Sequence, residues 1–217
     1  MIRSLAPAIV AVLLLAPITA AAQKTGVAVT PFLGLTVPGT VLLLRPGLNP
    51  VTDPEKQALL GVIGGRVNLG LSSSFELEGD VGYGSSGLKV ASLSAPSGTN
   101  ASVLTVSGSL VYRNKPAVEP FSLTLHGGIG AVHRSFSERA GTATALRNKT
   151  NVGVLLGAGL NFRASSRSAV VIGVDDFIYN ASFGVASTGS QPAGTTRSLT
   201  QNDIRITLGL RIAIAGQ

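Results

Sequence analysis

Three carboxylates stand two residues apart at Glu76, Glu78 and Asp80, with Arg66 and Asn68 shortly before them. Grouped acids of this kind could serve glycoside hydrolysis, one carboxyl giving a proton while another stays charged, or could ligate a hard cation. Their spacing argues against both. At i, i+2 intervals in an extended chain all three share one face. If the Ser72-Ser73-Ser74 segment closes a hairpin symmetric about Ser73, antiparallel pairing sets Arg66 opposite Asp80 and Asn68 opposite Glu78. Opposed residues bring their Cβ atoms to roughly 5 Å, within reach of a charge pair. The chemistry implied is mutual neutralisation, a structural ion-pair network to which Asp175, Arg205 and Arg211 add later charges on the same kind of face. His126 and His133 are the only histidines, and neither a G-x-S-x-G elbow nor an H-E-x-x-H motif accompanies them. The glycine repeats at Gly128-Ile129-Gly130 and Gly157-Ala158-Gly159 lack the third glycine of a dinucleotide fingerprint. With no cysteine either, the expectation is no catalytic residue, no enzyme activity, no cofactor and no metal site.

The elements that must position these charges are strands. Period-2 alternation bounded by Gly, Pro, Ser and Asn clusters predicts eight, near 26–37, 59–71, 75–84, 101–112, 121–134, 150–162, 169–180 and 203–214. Their connections are long at 38–58, 85–100, 135–149 and 181–202, and short at 72–74, 113–120 and 163–168. An even number of strands returns both termini to the side of the short turns. Such asymmetry suits an eight-stranded antiparallel up-and-down transmembrane β-barrel, all-β in class, with short periplasmic turns and four long extracellular loops. Pro31 falls inside the first strand, where it marks a strand edge, a bulge or a start drawn too early.

Alternation alone also fits a soluble barrel, so the polar face has to decide. In the last strand Ile204, Ile206, Leu208, Leu210, Ile212 and Ile214 oppose Arg205, Thr207, Gly209, Arg211 and Ala213. A water-exposed exterior carries roughly 25–35% charged residues, whereas the whole chain has 12% charged and 45% hydrophobic residues. Small residues suit the crowded interior of an eight-stranded barrel, so the apolar face meets lipid. Aromatic side chains favour membrane interfaces, and Phe75, Tyr112, Phe121 and Phe162 flank the short turns while Tyr83 and Tyr179 fall near the other rim. These six are expected to form the aromatic girdles.

The first 22 residues read as a secretory signal peptide: Arg3, an apolar stretch over Ala8 to Ala16, and Ala20-Ala21-Ala22 before Gln23. Residues 23–217 then form the barrel domain. The formal charge is +7, but the basic residues are scattered, with no basic stripe and no nucleic-acid reading motif. Nucleic acid is therefore not an expected partner.

The stretches 69–84 (LGLSSSFELEGDVGYG), 157–180 (GAGLNFRASSRSAVVIGVDDFIYN) and 203–214 (DIRITLGLRIAI) resemble the eight-stranded outer-membrane β-barrel family of outer membrane protein A and outer membrane protein X type. A glycine-rich strand, a polar turn and a second strand with an embedded acid carry the likeness, which covers the mature chain. Two features depart from the family. No periplasmic peptidoglycan-binding domain follows the barrel, and the chain ends Ile214-Ala215-Gly216-Gln217 where the family ends on an aromatic. The resemblance implies residence in the cell outer membrane of a Gram-negative bacterium. Its implied partners are outer-membrane lipid, lipopolysaccharide and the assembly machinery, with an extracellular ligand at the loops. The expected role is structural or surface-interactive, with side chains plugging the lumen. The alternatives are a narrow porin-like channel, a lipid-modifying outer-membrane enzyme, or a soluble secreted barrel.

Overall fold

The computed structural model describes residues 26–39, 41–43, 55–90, 96–114, 120–137, 148–183 and 197–215. The predicted signal peptide lies outside the described residues. Among the described residues ten strands follow in chain order: β1 (Val27–Pro38), β2 (Val41–Leu43), β3 (Glu55–Gln57), β4 (Leu60–Gly70), β5 (Phe75–Val90), β6 (Pro96–Arg113), β7 (Phe121–Ser137), β8 (Lys149–Arg163), β9 (Ser168–Phe183) and β10 (Arg197–Ala215). Eight of them, all except β2 and β3, close into an antiparallel barrel. Each pairs with the next, β5 pairs with β6, and β10 returns to β1.

The stagger of this closure can be read from the pairing. A walk across the ladder from Ala28 passes Asn68, Glu78, Ser109, Gly128, Leu155, Phe177 and Asp203, and re-enters β1 at Pro38, ten residues along from its start. With strands roughly 4.7 Å apart and rising about 3.3 Å per residue, such a stagger tilts them about 40° from the barrel axis. That tilt lies in the range of membrane-spanning barrels.

Local chemistry explains the hairpins. At the β4–β5 turn the Ser72 hydroxyl accepts the N–H groups of Ser74 and Phe75 at 3.3 and 3.1 Å. At the β8–β9 turn the Ser165 hydroxyl does the same for Arg167 and Ser168, at 3.2 and 3.1 Å. A serine side chain that takes over backbone donors lets the chain reverse in three residues without a glycine. The first of these turns sets the register of β4 on β5, with Arg66 across from Asp80 and Asn68 across from Glu78.

Several barrel strands run past their predicted ends on the long-loop side: β5 to Val90, β7 to Ser137, and β10 from Arg197 instead of 203. Hydrophobic alternation stops earlier, but backbone pairing needs only a partner strand, and Ser, Thr and Asn serve as well there. The first long connection also holds β2 and β3, where only loop was expected, and β3 pairs with β5 through Gln57↔Leu88. Pro31 sits in the interior of β1. It has no N–H to give, and the β1–β10 register carries no pair at Thr30 or Pro31, whereas β4 stays paired with both.

Outward positions are aliphatic nearly throughout, and Ile129 and Val152 are each 70% exposed. Soluble monomers do not expose a continuous apolar belt of this extent. Inward positions hold a small apolar group toward the long-loop end, including Leu60, Val62, Val103, Val132, Leu155 and Phe177. The rest of the interior is mainly polar, with Ala28, Val111 and Val171 buried among the polar side chains.

Candidate functional site

Charged side chains cross the interior in three tiers. In the central tier two arginines and two aspartates from opposite walls interlock. Arg66 on β4 donates from Nε to Asp80 at 3.0 Å, and from Nη2 to Asp175 at 2.7 Å and to Thr207 at 3.2 Å. Arg205 on β10 donates to both Asp80 oxygens at 2.9 Å, to Asp175 at 2.9 Å and to the Thr105 hydroxyl at 3.2 Å. His126 on β7 closes the group, its Nε2 lying 2.8 Å from Asp175 Oδ1. Arg205 and Asp175 are each 1% exposed. The Phe32 ring lies 5.1 Å from both guanidinium centres, and the Phe177 ring 5.2 Å from that of Arg205. These contacts supply cation–π attraction where water is excluded.

Toward the short turns, Glu76 takes hydrogen bonds from Arg113 at 3.2 Å and Arg211 at 3.1 Å. Glu78 accepts the Asn68 amide at 2.8 Å. A polar cavity of about 20 Å³ lies in this half, with Arg66, Glu78, Arg113, His126 and Arg211 in its wall. Toward the long loops, Arg134 pairs with Asp203. The Tyr179 hydroxyl donates to the same carboxylate at 3.0 Å, and Arg134 Nε donates to Gln57 at 3.3 Å.

Glycine makes room for the central tier. A Cβ at Gly82 would stand 2.9 Å from Arg205 Nη1, and one at Gly157 would collide with the His126 ring. Arginine and carboxylate match one for one: Arg66, Arg113, Arg134, Arg205 and Arg211 against Glu76, Glu78, Asp80, Asp175 and Asp203. Each acid is engaged by an arginine or an amide. Among the described residues no group of acids and histidines has the arrangement of a metal site.

The site residues named from sequence for the ion-pair network all point inward, and they divide between the central tier and the Glu76 tier. Sequence reasoning missed Arg113, Arg134 and Asp203, each at or just beyond an end of the strand expected from sequence, although β7 and β10 run on past the last two. Extending the alternation by one step would have reached them: Arg113 follows Ser109 and Val111, Arg134 follows Val132, and Asp203 precedes Arg205. Gln57 had no signal, because its strand is three residues long and depends on β5 for a partner. One expected girdle residue is corrected. Tyr179 is 3% exposed and faces inward, with the Arg134 guanidinium 5.4 Å from its ring, because its place in the alternation of β9 is that of Asp175 and Phe177. Phe75, Tyr83, Tyr112, Phe121 and Phe162 face outward, and Phe75 and Tyr112 pack together at 5.5 Å across β5 and β6.

A closed, tilted barrel with an aliphatic outer belt and a charged interior defines an outer-membrane class of protein. The chain matches the family described as outer membrane protein beta-barrel domain over residues 8–211, and it belongs to that family. It therefore resides in the cell outer membrane. No curated protein matches its sequence. Among solved structures, OprG from Pseudomonas aeruginosa is similar at 10% identity with a TM-score of 0.62, covering 89% of this chain and 97% of its own. The outer membrane protein AlkL, determined by solid-state NMR in lipid bilayers, is similar at 15% identity and TM-score 0.55, over 88% and 92%. Neisserial surface protein A is similar at 9% identity and TM-score 0.54, over 88% and 100%. At these identities the likeness is one of fold.

Proposed function

We infer that this protein is a closed outer-membrane barrel that works through its outer surface and its four long loops, with the lumen plugged by its own side chains. The central tier carries the reading: Arg66 and Arg205 each bridge Asp80 and Asp175 across the barrel. A solute passing through would have to part these contacts and leave buried charges unpaired, at a cost of several kcal/mol for each. The interior of an eight-stranded barrel is just wide enough for side chains to fill, which supports the same view. Its partners on this reading are outer-membrane lipid and lipopolysaccharide along the apolar belt, the assembly machinery during insertion, and an extracellular ligand at the loops.

A liposome-swelling assay tests the plug against the porin-like alternative. Vesicles containing the refolded protein should not swell in an isotonic solution of a small sugar. Swelling comparable to that of a porin control would refute the reading.

A further inference from the structure

A second constellation lies on the outer wall, away from the lumen. His133 and Ser135 are alternate residues of β7 and share its outward face, and β8 places Thr150 directly opposite His133. The Ser135 hydroxyl lies 3.0 Å from His133 Nε2, and the Thr150 hydroxyl 2.7 Å from His133 Nδ1. With the proton on Nδ1 donated to Thr150, the Nε2 lone pair faces the Ser135 O–H. Nucleophile, base and orienting group then stand in the order acyl-transfer enzymes use.

Their depth on the barrel suggests the substrate. The ladder row through His133 passes Leu104 on β6 and reaches Tyr83 on β5, an exposed aromatic of the long-loop rim. On the side of the short turns lie Ile129 and Val152, the most exposed aliphatics of the two strands. On the loop side Ser102 pairs with Ser135, and Asn148 holds the next residue by accepting the Phe136 N–H at 2.9 Å. The relay thus stands where the wall changes from aliphatic to hydroxyl and amide, and the ester linkages of an outer-leaflet lipid lie between its acyl chains and its headgroup at that level. Backbone pairing of β7 with β8 does not need these side chains, and hydrogen bonds between partly exposed groups add little to stability.

We propose that Ser135, His133 and Thr150 form an acyl-ester-cleaving site on the outer wall of the barrel, acting on ester-linked acyl chains of outer-leaflet lipid. Ser135 Oγ bonds to the ester carbonyl carbon as its proton passes to His133 Nε2. The carbon–oxygen bond to the lipid alcohol then breaks, and that alcohol takes the proton from Nε2. Water, deprotonated by the same imidazole, hydrolyses the acyl-serine, releasing a carboxylic acid and restoring the hydroxyl. Thr150 is a positioning residue that fixes the ring and its tautomer. Its neutral hydroxyl stabilises an imidazolium less than a carboxylate would, so turnover is slow.

The test uses the full-length protein refolded into vesicles of phosphatidylethanolamine in one arm and mixed with purified lipid A in the other. Released fatty acid is measured by mass spectrometry, and a fluorophosphonate probe is mapped on the wild-type chain. Release in at least one arm, with the probe on Ser135, is expected, and the productive arm identifies the lipid. Ser135→Ala should fall to background, and His133→Gln should lose about 100-fold or more. Thr150→Ala should lower the rate and Thr150→Ser restore it, while each variant keeps its heat-dependent gel shift. A folded wild type that releases no fatty acid in either arm and leaves the probe unreacted would overturn the proposal, and so would Ser135→Ala matching the wild type.

Discussion

Arg205 touches Asp80, Asp175 and Thr105 at once, between two aromatic rings. Without it both aspartates would depend on Arg66 and His126 alone, in a place water does not reach. Removing one partner of a buried pair costs about 3–5 kcal/mol, chiefly because the other charge is left unpaired. Arg205→Met should lower the unfolding free energy in lipid by that amount, measured from urea titrations. Adding Asp80→Asn should recover part of the loss, since a double-mutant cycle isolates the coupling. If the single variant cost less than about 1 kcal/mol, the central tier would not be holding the barrel together. Gly157 is a second residue with a defined consequence. Gly157→Val drives a side chain into the His126 ring and should cost about 1–3 kcal/mol on the same measurement, as overpacking does.

The strand is the scale at which the sequence was most legible. Period 2 separates inside from outside at every step, so the eight barrel strands, the apolar outer face and the Arg66–Asp80 register could be read from residues alone. Strand ends could not, because hydrophobic alternation fades above the membrane while β5, β7 and β10 go on pairing. For the same reason alternation alone places Ser135 in a loop, whereas β7 reaches Ser137. The relay with His133 and Thr150 also joins two strands across a long connection, so no local motif marks it. Tyr179 shows the opposite limit: proximity to a rim does not say which face a ring takes, and one step of alternation separates a girdle residue from a lumenal one. Lipid exposure gives a prediction at this scale. Leu208, midway along the apolar run of β10, should tolerate Arg poorly, with Leu208→Arg costing about 2–4 kcal/mol. Ile214→Arg, near the strand end, should cost about 1 kcal/mol or less. Equal costs at the two positions, from refolding titrations in lipid vesicles, would contradict the depth assigned to the belt.

At the scale of the molecule, a ten-residue stagger over eight strands fixes both tilt and bore, and the interior is built to that bore with arginine and carboxylate in matched number. The barrel thereby carries most of its charge inside, although Asp176 stands on the outward face of β9 beside Ile204 and Leu156, and the inward glycines give the guanidinium groups space to reach across. On the function proposed above, specificity belongs to the outer wall and the loops. That division of labour depends on the lumen being closed, which single-channel recording in a planar lipid bilayer tests most directly. The refolded wild type should show a flat baseline with no steady open-channel steps under applied voltage, whereas sustained steps of substantial conductance would contradict the plug.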